Sequence, residues 1–137
     1  MRVVVDTNVV LDVLLAREPH ARNAVEVFAL IERAQVEASI CATTVTTVYY
    51  LLTQALERDE ARVALRRLIE LFEIAPVNRP VIEQALKSRI ADFEGAVLEQ
   101  SARLVGAEAI ITRNTKDFRK SIVKAFDPHA FLAAMST

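Results

Sequence analysis

Short β-branched runs alternate along this chain with longer stretches whose apolar residues have helical spacing. Residues 2–5 read Arg-Val-Val-Val, which is typical of a buried parallel strand. Comparable runs predict four more strands, at residues 38–41, 72–77, 109–112 and 122–126. The stretches between them place apolar residues three or four positions apart, and they predict helices at 9–15, 20–34, 44–57, 59–71, 80–89 and 92–106, with a short last helix from residue 128.

Polar residues, prolines and a glycine mark several of the helix ends. Side chains that can cap a helix N-terminus stand at Thr43 or Thr44, Asp59, Asp92 and Asp127. Pro80 and Pro128 suit the first turn of a helix, where the missing N–H costs nothing. Gly106 suits the end of the sixth helix. These signals agree with the boundaries that the apolar spacing predicts.

Strands thus alternate with single helices or helix pairs. This order predicts an α/β fold, with a parallel sheet of four to five short strands between layers of about seven helices. No repeat, low-complexity segment or linker divides the sequence, so residues 1–137 are interpreted as one domain. The paired helices are rich in Ala, Leu and Val. They could form a homodimer face or pack only on their own core, and both interpretations stay open.

Composition limits the classes of function. Hydrophobic residues make up 53% of the 137, which excludes a disordered chain. The net charge is −1, so binding to nucleic acid would need a local basic patch, a bound metal or a partner. No apolar run approaches the roughly 18 residues of a membrane span, and the N-terminus does not resemble a signal peptide. We therefore expect a cytoplasmic protein. Its single cysteine, Cys41, is expected to be a buried structural thiol.

The candidate chemistry lies where strands end, because ligands of an open α/β sheet bind beyond the carboxyl ends of its strands. Asp6, Thr7 and Asn8 follow the first strand, and Arg113, Asn114 and Asp117 follow the fourth. The helix that holds Asp92 and Glu94 leads into the fourth strand, so its start should lie near the same edge. Converging carboxylates suit Mg²⁺ or Mn²⁺, which can activate water and stabilise charge on phosphate. His20 and His129 have no neighbour typical of a metal site.

Three motifs together resemble the PIN domain family. Residues 3–11 read Val-Val-Val-Asp-Thr-Asn-Val-Val-Leu and look like the opening of PIN domains. Residues 110–118 read Ile-Ile-Thr-Arg-Asn-Thr-Lys-Asp-Phe and look like their last site motif. Residues 92–96 read Asp-Phe-Glu-Gly-Ala and are similar to an Asp-Phe-Glu-Asp-Ala stretch of one subgroup. The resemblance extends over essentially the whole chain.

This resemblance implies a three-layer fold and a small metal-dependent ribonuclease, often a VapC-type toxin that forms homodimers and has a cognate antitoxin. It makes Asp6 a metal ligand and places Asn114 and Asp117 in the last site segment, with Asn8 supporting Asp6 or the local turn. We expect Asp6, Asp92 and Asp117 to be catalytic, and Glu94 to join them as a ligand of Mg²⁺ or Mn²⁺.

Two family acids have no counterpart here. A glutamate early in the third helix is matched by Tyr49, and the nearest carboxylate on that helix, Glu57, is about two turns away. An aspartate of the subgroup motif is matched by Gly95. Asp92 precedes Gly95 by three positions and shares its helix face, so it ranks above Glu94 as a substitute ligand. Alternatively, Asp92 only caps the helix and Glu94 only favours its positive end.

Basic residues are concentrated after the fourth strand. Between residues 113 and 124, five basic residues accompany a single acid, Asp117. Of these, Arg113, Lys116 and Arg119 are predicted to bind RNA phosphates, although a solvated charged loop would read the same way. Tyr49 and Tyr50 could stack on a base, but core or dimer packing is favoured.

Three functions remain on the sequence alone. The first is a metal-dependent endoribonuclease of the VapC type, and the second is a related module that binds RNA or a protein without cleaving. A phosphotransferase that uses Asp6 as a nucleophile is the third. Asn8 argues against it, because such enzymes often carry a second aspartate at that position.

Overall fold

The computed structural model describes residues 1–136, in which five parallel strands form one sheet. The strands are β1 (Arg2–Val5), β2 (Glu37–Cys41), β3 (Glu73–Ala75), β4 (Ala109–Ile111) and β5 (Lys124–Phe126). Their spatial order is β3-β2-β1-β4-β5, and every neighbouring pair is parallel. The sheet predicted from the sequence is therefore confirmed, with β1 at its centre.

Within residues 1–136, seven α-helices cover the two faces of this sheet. They are α1 (Thr7–Leu14), α2 (Ala21–Glu32), α3 (Ala42–Ala55), α4 (Arg58–Leu71), α5 (Arg79–Ala85), α6 (Phe93–Leu104) and α7 (Pro128–Met135), and a short 3₁₀ helix spans Thr115–Phe118. Val3 and Val5 pack into a core cluster with residues of α1, α2, α3, α4 and α7, whereas Val4 packs with residues of α5 and α6. The result is the expected three-layer α/β arrangement.

Several helix ends follow local signals, and others do not. Asp92 and Asp127 cap α6 and α7 as predicted, and Gly106, with φ +70°, follows the end of α6. Neither Thr43 nor Thr44 caps α3, because β2 runs into the helix directly after Cys41. Asp59 does not cap α4 either.

The N-cap of α4 lies two residues earlier than the sequence indicated. Glu57 is its N-cap, and the backbone N–H of Glu57 donates to the Glu60 side chain at 3.1 Å. Asp59 thus lies in the first turn, where its charge favours the helix dipole.

The edge strands are shorter than predicted because their neighbours limit them. β3 pairs only with residues 39–41, and β5 pairs only with the three residues of β4. Cys41 is a buried free thiol, as expected. None of the helices in residues 1–136 combines the length and apolar character that a membrane crossing needs.

Candidate functional site

Asp6 and Thr112 begin the site, because each directly follows one of two adjacent strands. The Thr112 hydroxyl donates to Asp6 Oδ2 at 2.8 Å, and Asn8 Nδ2 donates to the same oxygen at 3.3 Å. Asp6 Oδ1 accepts from the backbone N–H of Thr7 at 2.8 Å, which caps α1. The carboxylate is thereby held at the carboxyl edge of the sheet. Asn8 thus contacts Asp6 directly, and its supporting role in the site stays a prediction.

A pocket of about 350 Å³ opens at this edge and collects most of the predicted site residues. Four carboxylates from three chain segments line it: Asp6, Asp92, Glu94 and Asp117. Asn8, Gly95, Arg113 and Asn114 line the same pocket. We call it the acidic pocket. The convergence predicted from the strand order is therefore observed, although the roles of these residues in binding or catalysis stay predictions.

The carboxylates of the acidic pocket influence one another electrostatically. Burial raises the pKa of Asp6 above its ordinary value, and the charge of Asp92 raises it further, against hydrogen bonds from Thr112, Thr7 and Asn8 that lower it. Burial also raises the pKa of Glu94, together with the charges of Asp6 and Asp92. Mutual repulsion of this kind is relieved when a cation binds among the carboxylates.

Asp92 both caps α6 and lines the acidic pocket. Its Oδ2 accepts from the backbone N–H of Gly95 at 2.9 Å. A Cβ placed on Gly95 would lie 3.3 Å from that same oxygen and 3.5 Å from the ring of Phe118. A side chain at position 95 would thus stand beside Asp92. The capping alternative is observed, and it does not remove Asp92 from the pocket.

Tyr49 does not lie in the acidic pocket, although the resemblance matched it to a family glutamate of the site. Its ring packs on the core cluster and lies 5.7 Å below the Arg62 guanidinium, in a groove between α3 and α4. Thr47 lines the acidic pocket instead. Residues two positions apart in sequence are separated by about 200° around an α-helix, so Tyr49 and Thr47 face opposite sides of α3. The expected equivalence of Tyr49 with a family acid is therefore wrong, and packing of Tyr49, the favoured alternative, is confirmed.

A buried ion cluster adjoins the acidic pocket and was not foreseen. Asp12 is fully buried in α1, and it accepts from Arg17 Nε at 2.9 Å and from Arg113 Nε at 2.7 Å. Arg113, which was expected to contact RNA, is thus already fixed by an ion pair. Both arginines line the acidic pocket. The cluster links α1 to the segment after β4, 101 residues away.

The other two basic residues predicted to bind RNA lie outside the acidic pocket. Lys116 and Arg119 line a separate cleft of about 540 Å³ beside β5, together with Lys124. Phe118 lines both cavities and so separates them. The cleft is a basic surface next to the acidic pocket rather than part of it.

The donors present suit an oxygen-preferring cation, but their arrangement is incomplete. Carboxylate oxygens are the ligands that Mg²⁺ and Mn²⁺ prefer. Within residues 1–136, however, no group of three or more His, Cys, Asp or Glu is arranged to hold a metal ion. Thr47 and Gly95 line the pocket without contributing a carboxylate. The residues therefore match a divalent cation in chemistry and only partly in geometry.

Comparison with known proteins agrees with the fold. A sequence profile of the PIN domain matches residues 2–116. The chain is 22% identical over 140 residues to ribonuclease VapC1 of Aquifex aeolicus (strain VF5), with 99% of this chain and 96% of that protein covered.

Solved structures are similar over nearly the whole chain. A toxin–antitoxin complex from Klebsiella pneumoniae has a TM-score of 0.71 at 25% identity, covering 92% of this chain and 97% of that one. A DNA-bound VapBC from Salmonella typhimurium has a TM-score of 0.72 at 15% identity, covering 93% and 98%. Since the profile matches most of the sequence and the fold agrees with these structures, the chain belongs to the PIN domain family and resembles VapC toxins.

Proposed function

We propose that this chain is a divalent-metal-dependent endoribonuclease of the VapC toxin type, which hydrolyses RNA phosphodiester bonds. The observation that carries the proposal is the convergence of Asp6, Asp92, Glu94 and Asp117 on one pocket. The similarity to ribonuclease VapC1 supports the reaction class. A bound Mg²⁺ or Mn²⁺ would supply an activated water and charge stabilisation for phosphate.

The residues would divide the work by position. Asp6 is the principal metal ligand, and Asp92, Asp117 and Glu94 complete the ligand set. Asn8 fixes the Asp6 carboxylate. The backbone N–H of Asn114 donates to Thr112 Oγ1 at 3.0 Å, which orients the hydroxyl that holds Asp6.

Thermal unfolding with and without Mn²⁺ tests the metal site. A ligand that binds only the folded state stabilises it by about 2.7 kcal/mol at a hundred times its dissociation constant. We expect Mn²⁺ to raise the melting temperature of the natural chain and of the control Asp59→Asn, an exposed aspartate on α4, but not that of Asp6→Asn. Asp6→Asn should abolish metal-dependent cleavage of RNA, whereas Asp59→Asn should retain it. Full activity of a pure Asp6→Asn sample would refute the mechanism.

A second candidate is a PIN module that binds RNA or a protein partner and does not cleave. It is favoured by Thr47 and Gly95, which bring no carboxylate to the pocket, and by the incomplete metal arrangement. In that case the natural chain should be inactive with Mn²⁺, while Thr47→Glu combined with Gly95→Asp should gain cleavage. Thr47→Gln combined with Gly95→Asn is the matched control without charge. Metal-dependent cleavage by the natural chain would exclude this candidate.

The partner proposed for the chain is a cognate antitoxin protein. Similar proteins were crystallised as a toxin–antitoxin complex and as DNA-bound VapBC. Co-expression with the product of the adjacent upstream gene, followed by purification of the tagged PIN chain, tests this. We expect a stable complex that suppresses cleavage, and separation of the two proteins at low salt would argue against it.

A further inference from the structure

The Asp12 cluster carries more positive charge than its own ion pairing requires. One carboxylate with no exposed side-chain surface is paired with two guanidinium groups. The arginine side chains remain 40% and 30% exposed, for Arg17 and Arg113 respectively. One arginine would neutralise Asp12, so the second leaves a surplus positive charge facing the acidic pocket.

Both guanidinium groups also retain free hydrogen-bond donors. Each group carries five N–H donors in a rigid plane. Arg17 uses Nε for Asp12 and Nη2 for the carbonyl oxygen of Asn8, at 3.1 Å. Arg113 uses Nε and Nη2, both for Asp12. The remaining donors have no partner within residues 1–136, whereas Asp12 prevents the groups from swinging into solvent.

The location of these donors identifies what they could bind. Arg17 and Arg113 line the same pocket as the four carboxylates, so an anion bound there would lie next to the acidic residues. Planar guanidinium groups match the oxygens of a phosphate and can bind them in pairs. A purely structural role would explain one arginine paired with Asp12, although a buried ion pair adds little net stability by itself. A structural role does not explain why Asp12 has two arginine partners that both remain partly exposed.

We propose that Arg17 and Arg113, held by Asp12, form a phosphate-binding pair for the RNA backbone at the acidic pocket. This rests on the proposed function for its substrate class but not on cleavage. The pair positions a backbone phosphate beside Asp6 and offsets the repulsion between that phosphate and the carboxylates. It adds Arg17 to the RNA-contacting residues, and makes Asp12 a positioning residue.

Salt-dependent RNA binding tests the pair separately from catalysis. Binding of a short, labelled, mixed-sequence single-stranded RNA is measured by fluorescence anisotropy in EDTA, from about 50 to about 200 mM NaCl. The plot of log K against log salt has a negative slope, and each lost phosphate contact should make this slope shallower by about 0.7. We expect Arg17→Gln and Arg113→Gln each to show this change and to weaken binding about tenfold. Arg17→Lys should keep the slope and lose affinity.

The control is Arg33→Gln, an exposed arginine that follows α2 at the amino edge of the sheet. Circular dichroism at the assay temperature confirms that each variant is folded, since a merely structural role would lower the melting temperature without altering the slope. Slopes equal to that of Arg33→Gln, or no RNA binding by the natural chain even at low salt, would overturn the proposal. If the two arginine variants show the expected slope change but the natural chain does not cleave RNA, the phosphate-binding pair is supported and the proposed nuclease activity is rejected.

Discussion

At Asp6, burial and the like charge of Asp92 act in the same direction. Its folded-state pKa is raised, first by burial and then by Asp92, relative to 3.8. A carboxyl group with a raised folded pKa favours the folded state while protonated, and this contribution is lost as pH rises through that pKa. The natural, metal-free chain should therefore lose stability relative to Asp6→Asn as the pH rises above about 4.

Urea unfolding at several pH values in EDTA measures this difference. Asp59→Asn, which removes an exposed carboxylate outside the acidic pocket, is the matched charge control. If the stability difference between the natural chain and Asp6→Asn were constant across this range, burial of a charged Asp6 carboxylate would be refuted. Added Mn²⁺ should reverse the order at neutral pH, because the cation stabilises the ionised form.

Asp12 illustrates a different energetic case, because its charge is fully compensated. Removing one partner of a buried ion cluster costs about 3–5 kcal/mol. Asp12→Ala should destabilise the chain by about 3 kcal/mol, at the lower end, because the two partly exposed arginines can regain water. The urea midpoint measures this, with Asp59→Ala as the exposed control. A loss below about 1 kcal/mol would mean that the cluster behaves as a surface pair.

At the scale of elements, Glu99 connects α6 to two neighbouring segments. The side chain is 1% exposed and accepts from the Ser88 hydroxyl at 2.7 Å and from the backbone N–H of Ile122 at 2.8 Å. Burial raises the pKa of Glu99, but hydrogen bonds from Ser88, Ile122 and Gln100 outweigh it and leave the pKa below 4.5. The ionised carboxylate therefore helps to fix α6 against the loop before it and the entrance to β5.

The sign of the Glu99 contribution is opposite to that of Asp6. A folded pKa below the unfolded value gives stability that is present above about pH 4.5 and is lost as pH falls through the folded pKa. Glu99→Gln should be clearly less stable than the natural chain at pH 7, and the gap should narrow below about pH 4. Glu26→Gln, on the exposed face of α2, is the control. An unchanged gap in acid would exclude ionised Glu99 as the cause.

Elements with local signals were predictable, and elements defined by neighbours were not. The capping of α6 by Asp92 depends on a backbone N–H only three residues away, so the sequence contains the whole signal. The length of β5 depends on its pairing with β4, and the local sequence of β5 does not indicate how far that pairing extends. Helix α3 begins directly after β2 with no loop between them, so Cys41 is its N-cap. The prediction of Thr43 or Thr44 as the cap is wrong because both residues already lie inside the helix.

The candidate site divides in the same way. Asp6 and Asp117 follow strands and could be placed at the sheet edge by strand order alone. Thr47 was missed because the direction in which it faces depends on the phase of α3, which the positional match to Tyr49 did not take into account. Asp12 was missed since its partner Arg113 is 101 residues away and nothing around Asp12 distinguishes it from a solvated helix residue.

At the scale of the whole molecule, charge is segregated although the net charge is only −1. Carboxylates from three segments face the acidic pocket, and three basic residues after β4 line the cleft beside β5, namely Lys116, Arg119 and Lys124. An RNA strand that crossed both would meet the basic cleft by charge attraction and the acidic pocket only through Arg17, Arg113 or a cation. The near-neutral total therefore does not argue against RNA binding.

The groove between α3 and α4 is the surface through which we expect the chain to dimerise. Tyr49, Leu65 and Ile69 line it between Arg62 and Arg66, and Ile69 is 47% exposed. Apolar side chains exposed side by side are stabilised when a second copy covers them, and a stable interface buries about 800 Å² per partner. Because α3 and α4 pack against each other and on the core, their outer side is free to present this groove.

A charge placed in the groove should separate the dimer without unfolding the chain. Ile69→Asp would replace an apolar contact in such an interface with a carboxylate. The desolvation of that carboxylate costs several kcal/mol, or more than a hundredfold in dimer affinity. Light scattering coupled to size-exclusion chromatography should show a dimer for the natural chain and for Leu86→Asp, whose exposed side chain follows α5 on the opposite face of the sheet. Ile69→Asp should be monomeric. A dimer that survives Ile69→Asp but dissociates with Leu86→Asp would move the interface to the α5–α6 side, and a monomeric natural chain would leave α3 and α4 packing only on their own core.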